Sequence, residues 1–245
     1  MKLPAEFAEL RAGIVVRRGY EAELAGWLEQ APGAASDGAV AGGRGATRVV
    51  ALAEGGRAFV RRYVHGGLLG ALLRDRYWQR PSRPLRELVA TEAARAAGVV
   101  APEVLAAAAL PGAGRSASWL YRGLLVTRAL EGRRALGEAL RAAASEAERS
   151  AWIGCAVRAI RRLHAAGIHH PDLNVANVLV AAAADAPAAL IDFDRARVRP
   201  RPLDALHVAL ACRRLSRSIA KLALPGLDRA GAARALRAAG LGTPP

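Results

Sequence analysis

Two short stretches of this chain hold residues whose types and spacing could do chemistry. His170-Pro171-Asp172-Leu173-Asn174-Val175-Ala176-Asn177 has the spacing H-x-D-x-x-x-x-N, and Leu190-Ile191-Asp192-Phe193-Asp194 is an apolar run closed by an acid. Phosphoryl transfer to an alcohol needs a group that accepts or orients the proton of the attacking hydroxyl. It also needs hard oxygen ligands for Mg2+ on a nucleotide. On this reading Asp172 is the base, His170 holds its loop by hydrogen bonds, and Asn177 and Asp192 are the metal ligands. Asp and Asn are common in turns for local reasons. The catalytic reading is favoured because the motif follows a long helical stretch and precedes an apolar hairpin that ends in Asp192.

A second set lies upstream. In Ala58-Phe59-Val60-Arg61-Arg62-Tyr63, strand alternation puts Phe59, Arg61 and Tyr63 on one side and Arg62 on the other. Arg61 is the candidate clamp on nucleotide phosphates, because a guanidinium grips phosphate oxygens bidentately. Glu87 on the following helix is its expected partner, with Glu92 as the rival. Gly43 and Gly45, with Gly42, could let backbone approach phosphates, although a flexible loop accounts for them equally well.

These residues need elements to position them. Residues 47–53 and 57–64 read as two strands about the Glu54-Gly55-Gly56 turn. A helix is expected from Pro84 to Gly98, then a hairpin whose second strand covers 119–128. Residues 138–166 carry Ile153, Val157, Ile160 and Leu163 at helical spacing and read as one long helix stopped by Gly167. Residues 178–180 and 189–191 are short strands, and 204–222 reads as the final helix. The first 30 residues give no clear signal. The expectation is an α+β chain of two lobes, a sheet-rich N-terminal lobe over 1–129 for nucleotide phosphates and a helical lobe over 130–245 for catalytic loop, metal and acceptor.

Composition bounds the partners. The 245 residues include 36 Lys or Arg against 21 Asp or Glu, a net charge of +15, and 53% are hydrophobic. That suits a folded protein, and the charge either attracts polyanions, among them nucleic acid, anionic lipid or a phosphorylated substrate, or is a generic solubility charge of an Arg-rich composition. Aromatic residues are only 4%, which disfavours stacking on nucleic acid bases. Cys155 and Cys212 show neither disulfide nor metal spacing and read as buried thiols of a reducing compartment. No transmembrane span or secretory signal is expected, so membrane contact would be peripheral. Arg213, Arg217 and Lys221 form one stripe of the last helix, flanked by Arg214. Leu206, Leu210, Leu215, Ile219 and Leu222 are expected to supply its apolar contacts. The stripe is either a solvated face or a binding face for anionic lipid or acceptor. Leu68, Leu69, Leu72 and Leu73, followed by Arg74, Arg76, Tyr77 and Trp78, either pack between the lobes or touch a bilayer interface, where Trp and Arg are favoured.

Several strings narrow the reading further. Val60-Arg61-Arg62-Tyr63, Gly66-Gly67-Leu68-Leu69-Gly70, the Asp172-Leu173-Asn174 loop, Ile191-Asp192-Phe193-Asp194-Arg195 and Arg214-Leu215-x-Arg217-Ser218 together resemble the 3-deoxy-D-manno-octulosonic acid (Kdo) kinases. These are lipopolysaccharide kinases of the protein-kinase-like superfamily. The resemblance implies a two-lobe kinase-like fold and Mg2+-dependent use of ATP. It implies phosphorylation of the Kdo 4-hydroxyl on a lipid A precursor, an anionic glycolipid, by a peripheral protein on the cytoplasmic face of a bacterial inner membrane. Pro171 and Ala196 depart from the residues common in the family, and neither is a proposed catalytic group. Other readings are a kinase of the same fold acting on heptose, an aminoglycoside or choline, and an inactive lipid- or nucleic-acid-binding module.

Overall fold

The computed structural model describes residues 3–30, 47–63, 76–77, 81–111, 121–183 and 186–242. The chain divides into two compact units, Met1–Glu92 with Glu103–Ala129, and Ala93–Pro102 with Leu130–Pro245.

The first unit is built on one antiparallel sheet. Its strands are β1 (Phe7–Arg11), β2 (Ile14–Arg17), β3 (Thr47–Ala51), β4 (Arg57–Arg62), β5 (Arg76–Tyr77), β6 (Val104–Pro111) and β7 (Tyr121–Arg128). They run in the order β1-β2-β6-β7-β4-β3, with β5 paired to the start of β7. Period-two alternation gives the sheet two apolar faces. Ile14, Val16, Ala106, Ala108, Leu124 and Val126 pack on one side with Leu24 and Trp27 of helix α1 (Glu21–Gln30). Val15, Ala107 and Leu125 pack on the other with Leu88 of helix α2 (Arg83–Ala96). The first 30 residues, silent as sequence, form the β1–β2 hairpin and α1. Edge strand β1 is largely exposed beyond Phe7, so its alternation of charged and apolar residues carries little core pattern.

The second unit contains α3 (Leu136–Ala142), α4 (Glu146–Ala165), α5 (Ala205–Ala220) and α6 (Arg229–Ala238). Short strands β8 (Arg133–Ala135), β10 (Val178–Ala181) and β11 (Ala189–Leu190) form one small sheet, and β9 (Ile168–His169) pairs β12 (Arg197–Val198). Residues 93–102 pack here rather than with the first unit. Val100 bridges Ala189, and the Leu190 N–H donates to the Val100 carbonyl (2.9 Å).

Two helical expectations are corrected. The single helix over 138–166 is two, because Ala143 leaves α3 in extended conformation and Ser145 starts α4. The Ser145 hydroxyl accepts from the Glu148 N–H (3.1 Å) while Glu148 reaches back to the Ala144 N–H (2.8 Å). Ser-x-x-Glu is thus a reciprocal cap in the middle of an apparently continuous pattern. Nor is the helix over 204–222 the last. It ends at Ala220, and α6 follows, capped by Asp228, which accepts from Gly231 N–H (2.6 Å). The apolar contacts expected of α5 come from Leu215 and Ile219, which are buried, but Leu206 and Leu210 are 65% and 46% exposed.

Candidate active site

In the second unit the catalytic-type residues sit on the connection between β9 and β10. Buried helix α4, with Trp152, Val157, Ile160 and Leu163 inward, delivers the chain to this point. Gly167 then turns it with φ +72° into β9, as a C-terminal glycine in the left-handed region does. His170 follows and is buried, its ring 5.1 Å from that of buried Phe193. Its Nε2 lies 3.0 Å from the Ile191 carbonyl, and its Nδ1 accepts the Asp172 N–H (3.3 Å). A carbonyl requires a donor, and the N–H requires an acceptor. His170 is therefore the neutral Nε2–H tautomer, and burial pushes its pKa below the ordinary histidine value in agreement.

Two carboxamides fix the main chain of Asp172. Asn174 Nδ2 and Asn177 Nδ2 each donate to the Asp172 carbonyl at 2.8 Å. Asn174 Oδ1 also accepts from the Ala176 N–H (2.8 Å), closing a tight local turn. The loop is tied outward as well, since the Val175 N–H donates to Ser218 Oγ on α5 (3.1 Å). The Asp172 side chain is 38% exposed, with Arg195 Nη1 3.6 Å from its Oδ1. The loop's bonds thus hold the backbone and leave the carboxylate facing outward.

Asn177 and Asp192 are brought together by strand pairing. Val178 faces Leu190 in the β10–β11 ladder, and the Ile191 N–H donates to the Asn177 carbonyl (3.0 Å). The two residues therefore flank the same end of one hairpin. Asn177 commits its amide nitrogen to Asp172, which leaves Oδ1 as its metal-type donor. Half-buried Asp192 has φ 65°, an uncommon conformation for a residue with a Cβ and one that recurs at functional sites. A carboxamide oxygen and a carboxylate fit Mg2+, which takes few protein oxygens and completes its octahedron with water and phosphate.

In the first unit, Arg61 of β4 pairs with Glu87 of α2, and the Tyr63 hydroxyl donates to the same carboxylate. Glu87 is buried, and the Arg61 guanidinium also lies 4.9 Å from the Tyr63 ring centroid. Alternation on β4 turns Arg61 and Tyr63 to the α2 side while Ala58 and Val60 enter the opposite core face. Rival Glu92 is engaged elsewhere, by Arg17 (2.7 Å) and the Val104 N–H (3.2 Å). Gly43 and Gly45, like the Leu68 to Arg74 cluster, lie outside the described residues.

The model of the family described as Lipopolysaccharide kinase (Kdo/WaaP) matches residues 36–234. This chain belongs to that family. A "3-deoxy-D-manno-octulosonic acid kinase" of Xanthomonas oryzae pv. oryzae (strain PXO99A) is 35% identical over 194 residues, 72% of this chain and 70% of that protein. One of the same name from Vibrio vulnificus (strain YJ016) is 32% identical over 156 residues, 62% of this chain and 61% of that protein. Among solved structures, "WaaP in complex with acyl carrier protein" superposes with TM-score 0.60 at 18% identity, covering 92% of this chain and 88% of that one. At that identity the likeness is one of fold, and it makes the α+β architecture of this lipopolysaccharide kinase family member kinase-like. Strand alternation already set Tyr63 on the Arg61 side, but spacing alone did not assign places to Arg195 or Ser218. Each stands in a family string, and that was the signal available for them.

Proposed function

We propose that this chain transfers the γ-phosphoryl group of ATP to the 4-hydroxyl of Kdo on a lipid A precursor, in the making of the lipopolysaccharide core. The observation that carries the reading is the Asp172 loop, with its main chain clamped by Asn174 and Asn177 and its carboxylate outward. Family membership and relatives named as Kdo kinases support it.

The steps follow from the residues. Asp172 accepts the proton of the sugar hydroxyl as that oxygen bonds to the γ-phosphorus and the bond to the bridging oxygen breaks, releasing ADP. His170 stays neutral and fixes the loop through Ile191. Arg61, paired with Glu87 and Tyr63, is the group that would grip the nucleotide phosphates, and Gly43 and Gly45 are the glycines assigned to the same task. Asn177 and Asp192 would hold Mg2+, which would supply neutralisation of phosphate charge. The protein contributes position and charge, which suffice for a reaction with little covalent demand on the enzyme.

A lipid-linked acceptor calls for an enzyme that works peripherally at the cytoplasmic face of the inner membrane. Among the described residues no helix is long and apolar enough to cross a bilayer. The test is incubation with Mg-ATP and a Kdo-bearing lipid A precursor, read by mass spectrometry. A phosphate-mass gain on the Kdo residue is expected. No gain there, with a gain on a heptose-bearing acceptor, overturns the Kdo assignment.

A further inference from the structure

Helix α5 leaves an unusual face uncovered. Its exposed positions are apolar in the first two turns, Ala205, Leu206, Ala209 and Leu210, and basic in the rest, with Arg213, Arg217 and Lys221 continuing the same stripe. Leu206 (65% exposed) and Leu210 (46% exposed) stand one turn apart and make a contiguous apolar patch with Ala205 and Ala209. Residues 205–245 hold seven Lys or Arg against one acid, Asp228, a net +6 of the chain's +15. Between α5 and α6 lies a cleft of about 450 Å3, lined by Ala209, Ala230 and Ala233 and by Arg213, Arg229 and Arg237. Among the described residues no carboxylate lines it. Arg213 belongs to both the stripe and the cleft, so the two are one continuous surface.

We infer that the α5–α6 face is a docking surface for an anionic phospholipid bilayer, with a headgroup phosphate among Arg213, Arg229 and Arg237 and with Leu206 and Leu210 entering the interface. Charge complementarity selects an anionic partner. The two leucines favour a bilayer over a free anion, and the lipid-linked acceptor of the proposed function, on which this choice rests, favours it over an acidic protein. The surface goes beyond the proposed phosphotransfer in naming where the chain meets lipid, and it uses none of the residues assigned to that reaction.

The test is co-sedimentation of the full chain with phosphatidylglycerol–phosphatidylcholine vesicles, which contain no sugar acceptor, so its result is independent of the Kdo reading. Wild-type chain should bind these vesicles, bind pure phosphatidylcholine weakly, and be released by high salt. Each basic residue near such a surface contributes roughly five-fold, so the triple variant Arg213→Gln, Arg217→Gln, Lys221→Gln should bind on the order of a hundred-fold more weakly. Leu206→Ser with Leu210→Ser should lose on the order of ten-fold without moving the salt dependence. All five side chains are exposed, and circular dichroism melting checks that the variants fold. Phosphorylation of a soluble, deacylated acceptor should be unchanged in the Leu206→Ser, Leu210→Ser variant. Undiminished vesicle binding by either variant, equal binding to neutral vesicles, or capture by polyglutamate with no vesicle binding overturns the inference.

Discussion

At the scale of residues, the candidate site separates holding from reacting. His170, Asn174 and the amide of Asn177 spend their hydrogen bonds on backbone, while the carboxylate of Asp172 meets Arg195 at 3.6 Å. Replacing Asp172 by Ala should therefore leave the loop's main-chain bonds intact and remove the base. Turnover is expected to fall by about 10^2 to 10^4-fold, the range for loss of a positioned base, with ATP affinity retained. Single-turnover kinetics and calorimetry on the same preparation check this, and near-normal turnover rules Asp172 out as the base. Asp192→Ala should act on binding instead. Titration calorimetry should show that Mg2+ no longer strengthens ATP binding, whereas an unchanged Mg2+ effect would move the metal elsewhere.

At the scale of elements, the site depends on how helices and short strands end. Gly167 closes α4 and lies against the segment leading out of β12. A Cβ there would stand 2.4 Å from the Arg201 carbonyl oxygen and 2.6 Å from that of Arg199. Both contacts are backbone, so neither can swing aside as a flexible side chain would. Gly167→Ala also forces a side chain into the left-handed region, at about 1 kcal/mol before the clash is counted. The expected loss is roughly 3 kcal/mol of stability. Urea unfolding measures it, and a cost under about 0.5 kcal/mol would show that the β12 segment yields freely. The β10–β11 hairpin acts similarly for Asn177 and Asp192, since its register alone makes these two residues, distant in sequence, neighbours.

At the scale of the whole molecule, folding buries histidines beside one another. His164 is buried with its Nδ1 unbonded, and burial, with the nearby His169 and His207, lowers its pKa to about 4. Burial lowers His169 and His170 in the same direction. The unfolded chain thus takes up protons from about pH 6.5 downward that the folded chain refuses. Stability is full above that pH and falls as pH drops toward about 4. His164 alone should lower the unfolding free energy by roughly 2 kcal/mol between about pH 7 and about pH 5. Urea titrations at the two values measure this, and His164→Leu should remove that part of the slope. A wild-type slope of zero would mean that the fold accommodates the charge.

Much of this was legible before folding. The β3–β4 hairpin was, because a Gly-Gly turn separates two β-prone runs, and so was α2, because Gly98 (φ +74°) stops it. The kinase family was readable from H-x-D-x-x-x-x-N, Ile-Asp-Phe-Asp and the narrower strings around them, since residue types and their intervals are carried by the sequence itself. Neither glycine, proline nor asparagine stands where α3 gives way to α4, so Ala143 hid the break behind a continuous apolar pattern, although the Ser145–Glu148 cap was there to be noticed. What only the tertiary structure decided is non-local: which glutamate meets Arg61, that Ser218 ties α5 to the Asp172 loop, and that Leu206 and Leu210 face water. Each depends on what packs against a residue from elsewhere in the chain, and no spacing rule carries that information.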